Sequence, residues 1–147
     1  MADPFKLEVT GLDKALRKLA NAGPAIVKHA ARAIHMEAQA VMTWSKEEFV
    51  PVATGTLRRS GHVQAPKIDG TNIVVILGYG GPAAAYAFAV HENPRAGQTA
   101  GVSPLGAKYK TYSRVGQWKY LEIPLVRSQE KIKRAISSAV GEAFRRG

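Results

Sequence analysis

The chain contains no cysteine among its 147 residues. This absence excludes disulfide frameworks, zinc–thiolate sites and thiol nucleophiles, and it leaves no sign of an oxidising compartment. The sequence also lacks any run of about 18 apolar residues, and its first eleven residues contain no apolar core of signal-peptide length. We therefore expect a protein that folds in the cytoplasm and has no membrane partner.

Acidic residues are scarce relative to basic ones. The sequence has 21 lysines and arginines but only 11 aspartates and glutamates, which gives a net charge of +10. This balance favours a polyanionic partner, either nucleic acid or an acidic protein surface, with solubility alone as the plain alternative. The hydrophobic content of 46% is ordinary for a globular protein, and the length predicts a single domain over residues 1–147.

Helical periodicity is present in the N-terminal half and at the C-terminal end. A short helix is predicted to begin after Thr10 and to stop at Gly23. Pro24 suits the first position of a second helix, which the apolar spacing extends over about 25 residues until Pro51 prevents its continuation. A last amphipathic helix is predicted to begin near Pro124.

Strand patterns occupy the middle of the chain. Leu57 opens a half-exposed strand, the "DGTN" turn at 69–72 follows, and "IVVILGYG" at 73–80 is typical of a central strand that pairs with the first. A third strand is predicted from Tyr86 to His91. These patterns predict an α+β fold: a small antiparallel sheet of three to four strands packed against the long N-terminal-half helix and the C-terminal helix, with a long loop after the third strand.

The long loop, residues 92–118, is called the arm. It has no periodicity over residues 93–117, and such loops usually have a function of their own. Its basic and aromatic residues suit either a nucleic-acid-facing segment or an arm that orders on a neighbouring subunit. We favour the subunit contact, because DNA capture usually needs a rigid groove or helix. The candidate residues are Arg95, Lys108, Tyr109, Lys110, Tyr112, Arg114 and Trp118.

The histidines do not indicate a catalytic or metal site. His29 and His35 are six residues apart, so they do not share one face of a helix. His91 and Glu92, as neighbours in a strand, are expected to point to opposite faces, and Glu92 is expected to pair with a basic residue instead. Because no nucleophile elbow or phosphate loop is present either, we predict neither an enzyme nor a cofactor.

The stretch "FVPVATGTLRRSGHV" at 49–63 resembles the helix-to-strand signature of the tail-completion proteins of tailed bacteriophages, also called minor tail components or head–tail connector (neck) proteins. "VTGLDKALRKLA" at 9–20, "YAFAVHEN" at 86–93 and "KYLEIPLVRS" at 119–128 resemble further segments of that family, in the same order. The arm departs from the family pattern by its length. The residues to which we assign the signature turn are Pro51, Thr54, Gly55, Leu57, Arg58 and Arg59.

The resemblance implies a structural virion protein rather than an enzyme. Proteins of this family form a ring, commonly of six subunits, at the head-proximal end of the tail, around the DNA channel. The implied partners are further copies of the chain, the tail terminator, the head-completion or connector proteins and the channel DNA, and the implied location is the virion neck after assembly in the bacterial cytoplasm. Because Arg58 and Arg59 alternate in the predicted strand, at least one should face solvent or a partner. The alternative is a basic nucleic-acid-binding protein that uses the loop at 92–119 and the C-terminal helix.

Overall fold

The structure is a computed structural model, and it describes residues 23–52, 55–81, 84–94, 96, 101–102, 108–109 and 116–146. The predicted short helix that begins after Thr10 lies outside these ranges. Some of the candidate functional residues also lie outside them, namely Thr54, Arg95, Lys110, Tyr112 and Arg114. Lys108 and Tyr109 are described only as strand backbone.

The predicted long helix is confirmed. Helix α1 spans Pro24–Trp44, with Pro24 in its first turn, where the missing N–H breaks no helical hydrogen bond. It continues directly into a π-helical turn, Ser45–Phe49, and the chain becomes extended at Val50. Pro51, the next residue, cannot supply the backbone N–H that another helical turn would require.

Two C-terminal helices contact α1. Helix α4 spans Glu122–Arg127 and helix α5 spans Gln129–Arg146, with Pro124 in the first of them, close to the predicted start. Helix α5 packs along α1, and the buried Ala30 and Ala38 of α1 allow the two backbones to approach closely. The shared core contains Val27, Ala30, Ala38, Val41 and Met42 from α1, Leu125 from α4, and Ile132, Ile136 and Val140 from α5.

Helices α1 and α5 run in opposite directions. The guanidinium of Arg127, just before α5, lies 5.8 Å from the ring of Phe49 at the C-terminal end of the π turn. Further along, the Lys131 ammonium lies 3.9 Å from the Glu37 carboxylate in the second half of α1. Helix α5 therefore leads back toward the N-terminal end of α1.

The predicted hairpin is confirmed in an interrupted form. Strands β2 (Lys67–Asp69) and β3 (Asn72–Val74) pair across a tight turn, in which Gly70 has a φ angle of +60°. Strands β1 (His62–Val63) and β4 (Leu77–Gly78) extend the same hairpin, and the N–H of Gln64 donates to the Ile76 carbonyl at 2.7 Å. The register shifts by one residue between the two pairs, which defines a bulge beside Pro66.

The sheet is smaller than predicted. In the described part of the chain, the strands form three separate two-stranded antiparallel pairs, not one sheet of three to four strands. The third pair lies inside the arm, where β5 (Gly101–Val102) pairs with β6 (Lys108–Tyr109). The arm therefore contains regular structure that the lack of periodicity did not indicate.

Two segments predicted as strands are helices. Helix α2 spans Thr56–Ser60, and helix α3 spans Ala84–His91 in place of the third strand. Half of the residues in α3 are alanine, which has the highest intrinsic helix propensity, and this preference outweighs the short alternation of aromatic residues. In α2, Leu and Arg favour a helix as well, and the Ser60 hydroxyl donates to the Leu57 carbonyl at 2.6 Å.

The fold is α+β, as predicted, with a long helix in the N-terminal half, small antiparallel pairs and a C-terminal helix. None of the helices in the described ranges combines the length and the apolar character needed to cross a bilayer.

Candidate functional site at the base of the arm

The two ends of the arm are joined. The backbone N–H of Lys119 donates to the carbonyl of His91 at 2.7 Å, so the chain leaves and re-enters the core at one place. The Lys119 ammonium lies 3.0 Å from a carboxylate oxygen of Glu92 and 2.9 Å from one of Glu122. We call His91, Glu92, Lys119 and Glu122 the base cluster.

His91 is the buried member of the base cluster, with no exposed surface. Its Nδ1 atom is 2.8 Å from Glu92 Oε1, and its Nε2 atom accepts a weaker hydrogen bond of 3.4 Å from the Glu122 backbone N–H. An imidazole that donates through Nδ1 and accepts through Nε2 is neutral. Burial lowers the pKa of His91, which also favours the neutral ring, although the Glu92 hydrogen bond opposes this effect.

The prediction that His91 and Glu92 point to opposite faces was wrong. It assumed a strand, whereas His91 ends helix α3 and Glu92 follows in the turn that closes it. The expected pairing of Glu92 with a basic residue is confirmed by its contact with Lys119. Hydrogen bonds from His91 and then Lys119 lower the pKa of Glu92, and contacts with Glu122 and then Glu92 raise the pKa of Lys119.

The base cluster has potential metal ligands. One ligand atom from each of His91, Glu92 and Glu122 lies within 4.8 Å of the others. However, the Lys119 ammonium contacts both carboxylates, and each imidazole nitrogen has a hydrogen-bond partner. The Lys119 ammonium therefore already supplies the positive charge between these carboxylates, and we assign the base cluster a structural role.

A buried polar chain connects the base cluster to the π turn. The Ser45 hydroxyl donates to the Tyr120 carbonyl at 2.6 Å and is 2.7 Å from the Tyr79 hydroxyl. Since a serine hydroxyl has one proton, Tyr79 must be the donor in the second bond. Burial raises the pKa of Tyr79 to about 12, so the phenol remains protonated at neutral pH.

Tyr120 is the centre of this region. Its hydroxyl donates to the Ala87 carbonyl of helix α3 at 2.6 Å, and its side chain is almost completely buried. The rings of Tyr79 and His91 both make edge-to-face contacts with it, at centroid distances of 5.0 and 4.9 Å. Tyr120 therefore links the π turn through its backbone carbonyl, and helix α3 through its side chain, to the return of the arm.

The C-terminal end of the arm lies against the signature turn. The N–H of Gln117 donates to the Phe49 carbonyl at 2.8 Å, and Gly116 is in close contact with Pro51. The next residue, Trp118, is 39% exposed. The structure thus places Pro51 beside the last residues of the arm, a proximity that sequence analysis did not anticipate.

The remaining described residues of the signature turn form its helical part. Gly55 precedes helix α2 with a φ angle of +81°, which favours glycine, and Leu57 is buried. Arg58 and Arg59 are both exposed, so the expectation that at least one faces outward is confirmed, but they lie on a helix and not on alternate strand faces. No ion pair of either guanidinium is found within the described ranges.

Sequence analysis assigned no role to Ser45, Tyr79, Tyr120 or Glu122. These residues are far apart in the chain, and no local spacing connects them. One weak signal was present. Glu92 was expected to pair with a basic residue, and Lys119 is a basic residue just beyond the arm. Lys119 also has a positive φ angle of 54°, which is uncommon for a residue other than glycine and marks a constrained position.

Comparison with known proteins gave no family model, no curated protein and no solved structure that matches this chain.

Proposed function

We propose that the protein is a structural virion subunit of a tailed phage, which forms a ring at the head-proximal end of the tail and helps to join tail and head around the DNA channel. The proposal rests on the signature turn and the other motifs in the sequence. The observation that supports it best is the joined base of the arm, because this arrangement suits an element devoted to contacts outside its own core.

The base gives the arm a fixed origin. Both ends are held by a backbone hydrogen bond and an ion pair, and Tyr120 ties them to the buried core. The arm contains an antiparallel strand pair between these ends. A long segment that is closed at its base and has its own strand pairing suits a contact with a neighbouring subunit, as expected for interlocked rings.

The ring is the first feature to test. We expect the purified chain to form closed rings in negative-stain electron microscopy, with one dominant subunit number in native mass spectrometry. Antibodies against the chain should label intact phage particles that carry this gene at the junction of head and tail. A strictly monomeric chain, or labelling elsewhere on the particle, would overturn the proposal.

The role of the arm requires a separate variant. Residues 97–115 are replaced by a short Gly/Ser linker, which should be tolerated because the two ends already lie side by side and loop-closure entropy changes slowly with length. We expect a folded protein that no longer forms rings. The matched control is Ile68→Ser, which alters an exposed side chain of the hairpin and should leave assembly intact.

The alternative is a nucleic-acid-binding protein, and one observation favours it. Arg58 and Arg59 on α2 and Arg145 and Arg146 at the end of α5 are all exposed. A polyanion would neutralise these charges and release counterions. This function predicts binding of monomers to duplex DNA that weakens steeply with salt, and the absence of binding at low salt would eliminate it.

A further inference from the structure

Three exposed apolar side chains surround the base cluster. Phe88 of α3 and Glu92 of the turn that closes it are four residues apart, and the Glu92 N–H donates to the Phe88 carbonyl, so they lie on the same side. Glu122 and Val126 are likewise four residues apart, within α4. Phe88 is 60% exposed, Val126 is 50% exposed and Trp118 is 39% exposed.

These residues form one continuous surface. Lys119 bridges Glu92 and Glu122, which joins the α3 side to the α4 side, and its ammonium lies 5.8 Å from the centre of the Trp118 ring. We call Phe88, Glu92, Trp118, Lys119, Glu122 and Val126 the docking face. Its two carboxylates and one ammonium give it a negative charge, on a chain whose net charge is +10.

The end of helix α5 has the complementary character. Phe144 is 44% exposed, and the exposed Arg145 and Arg146 follow it directly. The helix ends at Arg146. An apolar ring next to two cations matches a surface of apolar side chains around two carboxylates, both in hydrophobic contact and in charge. We call Phe144, Arg145 and Arg146 the α5 tip.

The two surfaces lie at opposite ends of the long helix. The docking face adjoins the C-terminal end of α1, because Ser45 is bonded to the Tyr120 carbonyl. The α5 tip lies near the N-terminal end of α1. Lys131 of α5 is beside Glu37 of α1, and the two helices run in opposite directions. Phe144 is as far along the chain from Lys131 as Pro24 is from Glu37. At 1.5 Å per residue, the length of α1 separates the two surfaces by about 30 Å.

We propose that the docking face of one subunit binds the α5 tip of a second copy of the chain. This inference rests on the proposed ring and adds a second contact between its subunits to the contact made by the arm. Two different surfaces at opposite ends of a subunit make a heterologous, head-to-tail contact, and repetition of such a contact closes into a ring when the rotation between subunits allows it. The basic partner that the negative docking face requires is another copy of this basic chain.

Two variants separate the halves of the contact. Val126→Ser removes an apolar side chain from the docking face without changing its charge, and Phe144→Asp places a carboxylate among the cations of the α5 tip. We expect each variant alone to be monomeric, with subunit affinity reduced at least about tenfold, because both lose an apolar contact and Phe144→Asp also places a carboxylate opposite those of the docking face. Met36→Asp, at a 61% exposed position of α1, is the matched control and should assemble normally.

Mixing the two variants gives the decisive result. The intact docking face of the Phe144→Asp chain can bind the intact α5 tip of the Val126→Ser chain, but the other ends of this pair are defective. Native mass spectrometry of the mixture should therefore show a heterodimer of twice the 15.8 kDa chain mass and no larger species. Circular dichroism checks that each variant keeps the helical content of the wild type.

Three outcomes would overturn the contact. If wild-type rings form and Phe144→Asp also forms rings, the α5 tip is not part of the interface, although the ring function stands. If the mixture gives no heterodimer, or gives full rings, the two surfaces do not bind each other. A wild-type chain that stays monomeric at all concentrations and is absent from the head–tail junction removes both the contact and the proposed function.

Discussion

Gly116 lies directly against the backbone of Pro51: a Cβ atom added to Gly116 would be 2.5 Å from the Pro51 Cα atom. The φ angle of Gly116 is +108°, which L side chains rarely adopt. Gly116→Ala should therefore lower the free energy of unfolding by about 2–4 kcal/mol, through backbone strain and displacement of Pro51. Urea denaturation measures this change.

The matched control for that substitution is Gly141→Ala. Gly141 lies in helix α5, and beyond its own helical backbone and chain neighbours no atom lies within 4 Å of an added Cβ, so alanine should raise the stability by up to about 1 kcal/mol through its better helix propensity. A Gly116→Ala protein as stable as the wild type would contradict the close contact between the arm and the signature turn.

Ser45 is the buried hydroxyl that connects the π turn to Tyr79 and Tyr120. Ser45→Ala removes two hydrogen bonds and leaves buried polar groups without their partner, so we expect a loss of about 1–3 kcal/mol. Ser137→Ala, at an exposed position of α5, should be neutral or slightly stabilising. In a double-mutant cycle with Tyr79→Phe, the two losses should not add, and strict additivity would argue against the Ser45–Tyr79 bond.

Acid should destabilise the protein in two stages. The pKa of His91 is below its ordinary 6.5 in the folded state, so below pH 6.5 the unfolded chain binds a proton more readily and stability falls. The pKa of Glu92 is likewise below 4.5, and stability falls further as the pH drops through this range. Melting temperatures at pH 7, 5.5 and 4 test this order, and constant stability between pH 7 and 5.5 would contradict it.

Alkali should act through Tyr79 and Lys119. The unfolded tyrosine ionises near pH 10.0, whereas the folded one keeps its proton to about 12, so stability falls as the pH rises above 10. The raised pKa of Lys119 has the same effect on stability. Its stabilisation is complete below pH 10.5 and is lost as the pH rises through the higher pKa of the folded state. Tyrosinate absorbance during titration should show that one of the tyrosines ionises only near the unfolding transition.

The ammonium of Lys119 should control the ionisation of Glu92. Lys119→Met removes this cation, so the pKa of the Glu92 carboxyl should rise, although the His91 hydrogen bond keeps part of the effect. A carbon-detected NMR titration of the glutamate carboxyls measures the shift. Lys133→Met is the control, since Lys133 contacts Glu130 at 3.4 Å and should leave Glu92 unchanged. An unaltered Glu92 titration in Lys119→Met would refute the ion pair.

The parts of the fold that sequence analysis predicted depend on local rules. Helix α1 follows from a proline at its first turn and an apolar face at helical spacing, and the β2–β3 hairpin follows from its turn residues. Helix α3 was mistaken for a strand because Tyr86, Phe88 and Val90 alternate. In the structure, Phe88 is exposed whereas Ala87 and His91, four residues apart, are both buried, as on a helix face.

The base cluster could not be predicted in the same way. Glu92 and Lys119 are separated by the whole arm, and their contact exists only because the chain returns to its starting point. The link between Ser45 and Tyr120 spans an even longer separation. Such pairs depend on tertiary packing, and neither periodicity nor propensity predicts which distant residues come into contact. The exposure of Arg58 and Arg59, in contrast, follows from their charge, and it is the same in the observed helix as in the predicted strand.

The π turn at Ser45–Phe49 determines the direction, around the helix axis, in which the chain leaves the end of α1. A π turn contains one residue more than an α turn, so the Val50 N–H donates to the Ser45 carbonyl at 2.8 Å and both Ser45 and Val50 are fully buried. Deletion of Lys46 alone would restore the α-helical phase and turn the following chain by about 100° around the helix axis. Pro51 would then no longer face Gly116. The one extra residue of the π turn therefore determines the orientation of the arm relative to the helix.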